Sequence, residues 1–372
     1  MTQPTGNQPL YLQIRAMLKE KIERGELQPG DQIPTEAELV QQYGVSRITI
    51  KNAIKLLVEE DLVYRIAGKG TFVADPAEAA AAAPIKAVSR QQAAHKRKIG
   101  FLSPFTNDEF SMQLLQSIEE ACKEQNVILI VRTATTQSEE RDGINFLLEA
   151  DVDGLLIFPV DGEAYSDAIL GLKSTGFPFV LVDRYLPGIK TNAVYSDNYQ
   201  GGYLGTEYLI QKGHKRIGIV SGTRSKTSSS EDRFSGYLGM AGQAGLKIEP
   251  AHWLTRTDEI TYMDTEASQR IVTEWLQSQP ELTAVFAFSC GMAVYVARAA
   301  SELGRKVPEE LAILSYDNPP VHDLHGRYFS CIEQQVDKMG EEALSLLLSA
   351  IDEPSLTREV VLPVSIRERR TT

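Results

Sequence analysis

Residues 44–58 read GVSRITIKNAIKLLV. A Gly-Val-Ser turn leads into a stretch in which Ile50, Ile54, Leu57 and Val58 recur at helical spacing. On the opposite face stand Arg47, Lys51 and Lys55, each four residues from the next, with Thr49 beside them. Ser46 is placed to cap the helix, because its hydroxyl can accept from an amide left free at the first turn. Three cations at i, i+4 and i+8 are, taken alone, an ordinary solvated helix face. The flanking segments give them meaning.

Upstream, Tyr11, Ile14, Leu18 and Ile22 follow helical spacing, and Gly25 with Pro29-Gly30 closes that element. Thr35-Glu-Ala-Glu38 forms a capping box, in which hydroxyl and carboxylate satisfy each other's helix-end amides. Downstream, LVYRI (62–66) and TFVA (71–74) flank Ala67-Gly-Lys-Gly70, the pattern of a hairpin. The order is therefore helix, helix, helix, hairpin, with a short turn at Gly44-Val45. That is the skeleton of a helix-turn-helix whose second helix enters a major groove. Arg47 can then donate two hydrogen bonds to guanine, while Lys51 and Thr49 suit phosphates or single base edges. The tip Gly68-Lys69-Gly70 lets backbone and a cation approach the sugar-phosphate chain.

The charge supports a division of labour. The chain carries a formal −12, yet residues 1–75 hold nine basic and ten acidic side chains and residues 76–97 a net +3. The remainder holds −14, so the acidity lies in the C-terminal three quarters and the small domain is nearly neutral. Residues 76–97 contain nine alanines, two prolines and no aromatic residue, which marks a linker between domains at 1–75 and 98–372.

Beyond the linker, apolar strands alternate with helical patterns. KIGFLSP, VILIVRTA, GLLIFPV and FPFVLVD are spaced to leave room for one helix between each pair. After AVYSD the rhythm restarts with RIGIVSG, HWLTRT, AVFAFS and LAILSYD. The fold class is α/β: two doubly wound parallel sheets, hence two lobes with a cleft between them. No apolar run approaches the ~20 residues needed to span a bilayer. The N-terminus lacks the basic-then-apolar pattern of a signal peptide, so the expected location is the cytoplasm. Cys122, Cys290 and Cys331 fit a reducing compartment and have no metal-site spacing. His322 and His325 read as a polar loop, so no metal is expected.

The stretch from PLYLQIRAMLKEKIERGELQPG through GVSRITIKNAIKLLVEEDLVYRIAGKGTFVA resembles the winged helix-turn-helix of the GntR regulator family over about residues 8–74. The resemblance implies DNA contacts from Thr35, Ser46, Arg47, Thr49, Lys51 and the wing residues Gly68, Lys69 and Gly70. Relatives often carry Ser at Thr35 and Arg at Lys51, and some carry Arg at Ala37, so the operator sequence does not transfer.

Residues 98–372 are similar to the LacI-type effector domain, itself similar to periplasmic sugar-binding proteins. The segments that carry this are KIGFLSPF, VDR (182–184), LIQKGHKRIGIVSG, EDRFSGY, LAILSYDN and IEQQVDKMGEEAL. A polar cleft suits a sugar, because each hydroxyl both donates and accepts while an aromatic face covers the apolar side of the ring. Open parallel sheets place such sites at the C-terminal ends of their strands. The resemblance implies effector contacts from Phe105, Asn107, Asp183, Arg233, Ser289, Asp317 and the crossover Gln334, with Tyr262 as a ring cover. Relatives usually read Asn-Asp where this chain has Ser289-Cys290, so ligand identity does not transfer directly. Each residue also has a plainer role open to it: helix caps for Asp183 and Asp317, a surface ion pair for Arg233, core for Phe105.

A GntR reader on a LacI-type sensor resembles the bacterial arabinose-operon repressors. It implies a homodimer on palindromic half-sites, released by a small sugar, L-arabinose, and no other cofactor. The competing reading is a GntR regulator with a pyridoxal-phosphate aminotransferase-like domain, which is usually longer and does not match the two-series strand rhythm. HExxH, GxSxG and Walker sequences are absent, so no enzyme is expected.

Overall fold

The computed structural model describes residues 9–60, 62–66, 69–74, 96–104, 109–160, 166–222, 227–255, 265–323 and 326–372. Phe105, Asn107, Tyr262, Gly68, His325 and nearly all of the linker lie outside them. The chain divides into two compact units, residues 1–93 and 94–372.

The first unit holds α1 (Leu10–Glu23), α2 (Glu36–Tyr43), α3 (Arg47–Glu59) and the antiparallel hairpin β1 (Val63–Ile66) with β2 (Gly70–Val73). Its core is Ile14, Leu18, Ile33, Leu39, Ile50, Ile54, Leu57, Val63 and Val73, so every element contributes to one apolar cluster. Gly44 ends α2 at φ +66°, the left-handed conformation that glycine adopts without strain, and turns the chain into α3. Both caps form. Glu38 N donates to Thr35 Oγ1 while Thr35 N donates to Glu38 Oε2 at 2.7 Å, and Thr49 N donates to Ser46 Oγ at 3.1 Å.

The second unit contains β3 (Lys98–Ser103), α4 (Glu109–Glu124), β4 (Ile128–Thr133), α5 (Gln137–Glu149), β5 (Gly154–Ile157), α6 (Asp167–Thr175), β6 (Phe179–Val182) and β7 (Ala193–Ser196). There follow α7 (Asn198–Gln211), β8 (Ile217–Val220), α8 (Ser228–Gln243), β9 (Trp253–Leu254), α9 (Thr265–Ser278), β10 (Ala284–Ala287), α10 (Cys290–Glu302) and β11 (Ala312–Tyr316). A small hairpin, β12 (His322–Asp323) with β13 (Gly326–Arg327), precedes β14 (Ser330–Glu333), α11 (Val336–Asp352), β15 (Glu359–Leu362) and β16 (Ser365–Arg367).

Two six-stranded sheets result, ordered β4-β3-β5-β6-β7-β15 and β9-β8-β10-β11-β14-β16. The orders match strand for strand, so the two lobes share one strand order. They differ at the last strand: β15 runs parallel to β7, whereas β16 runs antiparallel to β14. The C-terminal region does not stay in the second lobe. Val336, Met339, Ala343 and Leu347 of α11 pack with Ile99, Leu114 and Ile118 of the first lobe, and β15 closes that lobe's sheet. The chain thus crosses between lobes after β7, after β14 and between β15 and β16. Gly340 allows α11 to lie close to α4, since a Cβ there would stand 2.3 Å from Ser117 Oγ. Of the segment HWLTRT, Trp253–Leu254 form a strand, and Arg256 and Thr257 lie outside the described residues.

Candidate DNA-reading face and effector cleft

In the first unit, α3 presents Ser46, Arg47, Ile48, Lys51, Asn52 and Lys55 to solvent. Each helical residue turns about 100°. The direction opposite the buried Ile50, Ala53, Ile54 and Leu57 therefore falls on Ile48, with Lys51, Asn52 and Lys55 around it. Arg47 and Thr49 stand at the two borders of this face, so of the three cations expected opposite the core Arg47 lies at the edge. At its border Arg47 meets Glu36 of α2, with Nε 3.5 Å from Oε2, and remains 74% exposed. The other Glu36 oxygen accepts from Arg65 Nη2 of the wing at 3.1 Å. Glu36 therefore tethers two exposed guanidinium groups that flank the reading face.

The hydroxyls of Thr35 and Ser46 already have local partners. Thr35 Oγ1 donates to Glu38 Oε2 at 2.8 Å, and Ser46 Oγ is 2.8 Å from Thr49 Oγ1. The Thr35 amide and then its hydroxyl, both donating to Glu38, hold that carboxyl below its ordinary value. Gly70, at φ +132°, faces inward as well as outward: Gln32 Nε2 donates to the Lys69 carbonyl at 3.0 Å, and a Cβ on Gly70 would stand 2.2 Å from that nitrogen.

In the second unit, Asp183, Ser289, Asp317 and Gln334 follow the C-terminal ends of strands, where the sheet order predicts a ligand, while Arg233 stands within α8. Asp183 follows β6 and Asp317 follows β11, which are equivalent strands of the two lobes. Both have φ in the left-handed region, +68° and +63°, and both donate their amides to the next strand, to the carbonyls of Val194 and Ile332. Neither begins a helix, so the helix-cap alternative does not apply. A non-glycine residue at positive φ is a strained backbone that tends to mark a functional position. Among the described residues Asn126 and Asp151 share it just past helix ends, and Asp183 and Asp317 carry it at equivalent strand ends of the two lobes.

Arg233 of α8 is 6% exposed, which rules out a surface ion pair. Its Nε donates to Asn198 Oδ1 at 2.8 Å and its Nη1 to the Phe288 carbonyl at 2.7 Å, while the guanidinium lies 3.5 Å from the Tyr316 ring centre. Ser289 follows Phe288 directly and precedes α10. Burial raises the Tyr316 phenol, with the Arg233 charge opposing and those of Asp317 and Asp183 adding to the shift. Gln334, at the crossover after β14, donates to Asp317 Oδ1 at 2.7 Å. Arg233 thus lies over Tyr316, the charges of Asp317 and Asp183 act on that ring's phenol, and Gln334 is joined to Asp317.

A cavity of about 460 Å³ opens between the lobes, walled by Glu109, Phe110 and Gln113 of α4, Cys290 of α10, Asp317 and Gln334. Its size suits a small ligand. Asp183, Arg233 and Ser289 do not line it. Four segments that follow strand ends, 105–108, 161–165, 223–226 and 256–264, lie outside the described residues.

The structure adds residues that the sequence did not single out. Arg184 donates to the Pro159 carbonyl at 2.7 Å and lies over Phe158, which fixes the loop carrying Asp183. Its signal was present in the VDR motif. Glu140, fully buried, accepts from Val160 N at 2.9 Å behind β5, and burial raises its carboxyl. Contacts that bridge the lobes include a bidentate ion pair between Arg327 and Glu109, and Tyr185, whose Oη donates to Asp232 at 3.0 Å and whose amide donates to Ser228 Oγ at 3.0 Å. Burial pushes the Tyr185 phenol up to about 12, with the Asp232 charge adding to the shift. Burial also raises Asp232, against the donation from Tyr185.

Two family descriptions match the chain: "Bacterial regulatory proteins, gntR family" over residues 10–73 and "Periplasmic binding protein-like domain" over 206–372. The chain joins a GntR-type helix-turn-helix domain to a LacI-type, periplasmic-binding-protein-like domain. The HTH-type transcriptional repressor PurR of Klebsiella pneumoniae (strain 342) is 29% identical over 320 residues, 82% of this chain and 90% of its own length. The arabinose metabolism transcriptional repressor of Geobacillus stearothermophilus is 24% identical over 356 residues, 94% of this chain and 93% of its own. Among solved structures, a LacI family transcriptional regulator from Enterococcus faecium with bound ribose superposes with a TM-score of 0.62 and 26% identity, covering 74% of this chain and 98% of that one. These similar proteins are transcriptional regulators, and the two-lobed sheets set aside the aminotransferase-like alternative. Among the described residues no helix is long and apolar enough to cross a membrane.

Proposed function

We propose that the GntR–LacI-type chain is a cytoplasmic transcriptional repressor of carbohydrate-utilisation genes. It binds a palindromic operator as a homodimer and is released by a small sugar of the pentose class, L-arabinose. The observation that carries this is the pairing, in one chain, of an exposed cationic reading helix with a cavity between two lobes walled by Asp317 and Gln334, the residue before Asp317 being the Tyr316 of a buried Arg233–Asn198–Tyr316 cluster. The span of similarity to the arabinose repressor supports the choice of sugar, because it covers both units. In this mechanism sugar draws Asp183 and Asp317 toward one ligand and stabilises one arrangement of the lobes. The DNA-bound state is depopulated by the ligand's differential affinity for that arrangement. Residues 76–97 act as the linker, and no catalytic group is involved.

Calorimetry of the full chain against L-arabinose, D-ribose, D-xylose, D-glucose and cellobiose tests the sugar. Saturable binding of L-arabinose, with weaker or no binding of the others, is expected. Saturation by cellobiose with silence toward the pentoses would replace the pentose assignment, and operator binding unaffected by every sugar that binds would remove the release mechanism.

A further inference from the structure

Ile48 is 72% exposed, more than any other large apolar side chain among the described residues. The core of the head is complete without it, since Ile50, Ala53, Ile54 and Leu57 of the same helix are buried. A lone exposed isoleucine is unremarkable on most surfaces. This one occupies the centre of a face whose other members are charged or polar: Lys51 three residues on, Asn52 four, Lys55 seven. An apolar partner helix would have to desolvate those cations, and a membrane would find only one side chain to bury. A polyanionic groove satisfies both requirements, because its rim pairs with the cations while its floor presents isolated apolar groups. In the major groove that apolar group is the C5-methyl of thymine.

We infer that Ile48 is a specificity-determining residue that packs on a thymine methyl in each half-site. The inference rests on the DNA-binding role proposed above and adds which base is read and by what chemistry. Ile48 stands at the second position of α3, one residue beyond Arg47, so it meets the groove floor beside the point where Arg47 reaches a base or phosphate.

The test uses the full-length protein and a duplex recovered by it from a random library. Each thymine of that duplex is replaced in turn by deoxyuridine, which removes the methyl and leaves the hydrogen-bonding edges intact. One replacement per half-site should weaken wild-type binding about three- to fivefold, the loss expected for one methyl contact. Ile48→Ala should bind the parent duplex more weakly and show no further loss at that position. Equal binding of every deoxyuridine duplex by the wild type, or undiminished sensitivity in Ile48→Ala, overturns the assignment while leaving DNA binding in place. Recovery of no duplex at all overturns the DNA-binding role and this inference together.

Discussion

Arg47 and Arg233 are the two arginines on which the proposed function turns, and their surroundings are opposite. Arg47 is 74% exposed and touches one carboxylate at 3.5 Å, whereas Arg233 is 6% exposed and has three protein partners. In the head, chemistry and core are separate: the apolar cluster supports the fold and the cations stay in water until phosphate replaces it. In the sensor they are one network, because the arginine proposed to meet ligand also satisfies buried acceptors. A substitution in the head should therefore alter recognition without altering stability. The same substitution in the sensor should alter both.

The largest effect is expected at Arg233. Removing the guanidinium in Arg233→Ala leaves Asn198 Oδ1 and the Phe288 carbonyl without their donor in a buried place. Each unsatisfied acceptor costs about 1–3 kcal/mol, so the sensor should lose about 2–6 kcal/mol. Differential scanning calorimetry should show a lowered transition for the sensor, and operator release should need far more sugar. A variant that melts like the wild type and releases at the same sugar concentration would dissolve the contrast between the two arginines.

Arg47→Ala sharpens it from the other side. A lost bidentate base contact weakens binding by about 1–3 kcal/mol per half-site, with the melting temperature unchanged. Wild-type affinity should also fall steeply with salt, as phosphate contacts release counterions. Lys51→Ala should flatten that slope by about one per half-site. A salt-independent complex would show that the cations of α3 are not at the phosphates.

How far each region was legible follows from the range of its interactions. The head is built from local signals: the Thr35–Glu38 box spans three residues, Gly44 ends a helix, and glycines frame the wing. The cation spacing pointed to the exposed face of α3 but not to its centre. Ile48 and Asn52 are found by stepping about 100° per residue from the buried stripe rather than by counting charges. In the sensor, strand and helix order was readable from apolar runs. The destination of α11 was not, because its stripe of Val336, Met339 and Ala343 would suit either sheet. Asp183 and Asp317 stood out at strand ends, but their shared left-handed conformation did not. The partners of Arg233 lie 35 and 55 residues away, at Asn198 and Phe288, and long-range pairs of this kind leave no local spacing to read.

The smallest effect tests whether chemistry and fold are truly separate in the head. Thr35 is the exception to that rule, since the resemblance places it on DNA while its hydroxyl and amide are both engaged with Glu38. Loss of an N-cap costs about 1 kcal/mol, so Thr35→Ala should lower the melting temperature of the head by a few degrees. Thr35→Ser keeps the cap and should restore it. The capping box also carries a pH signature. The folded state holds Glu38 below its unfolded value, so the contribution of its charge is present above the ordinary glutamate pKa of 4.5 and is lost as pH falls through the lowered one. The difference between wild type and Thr35→Ala should therefore be full at pH 7 and shrink in acid below pH 4.5. If Thr35→Ala lowers operator affinity no more than its loss of stability explains, Thr35 serves the fold alone. A larger loss of affinity, restored by serine, would place its hydroxyl at the DNA as well.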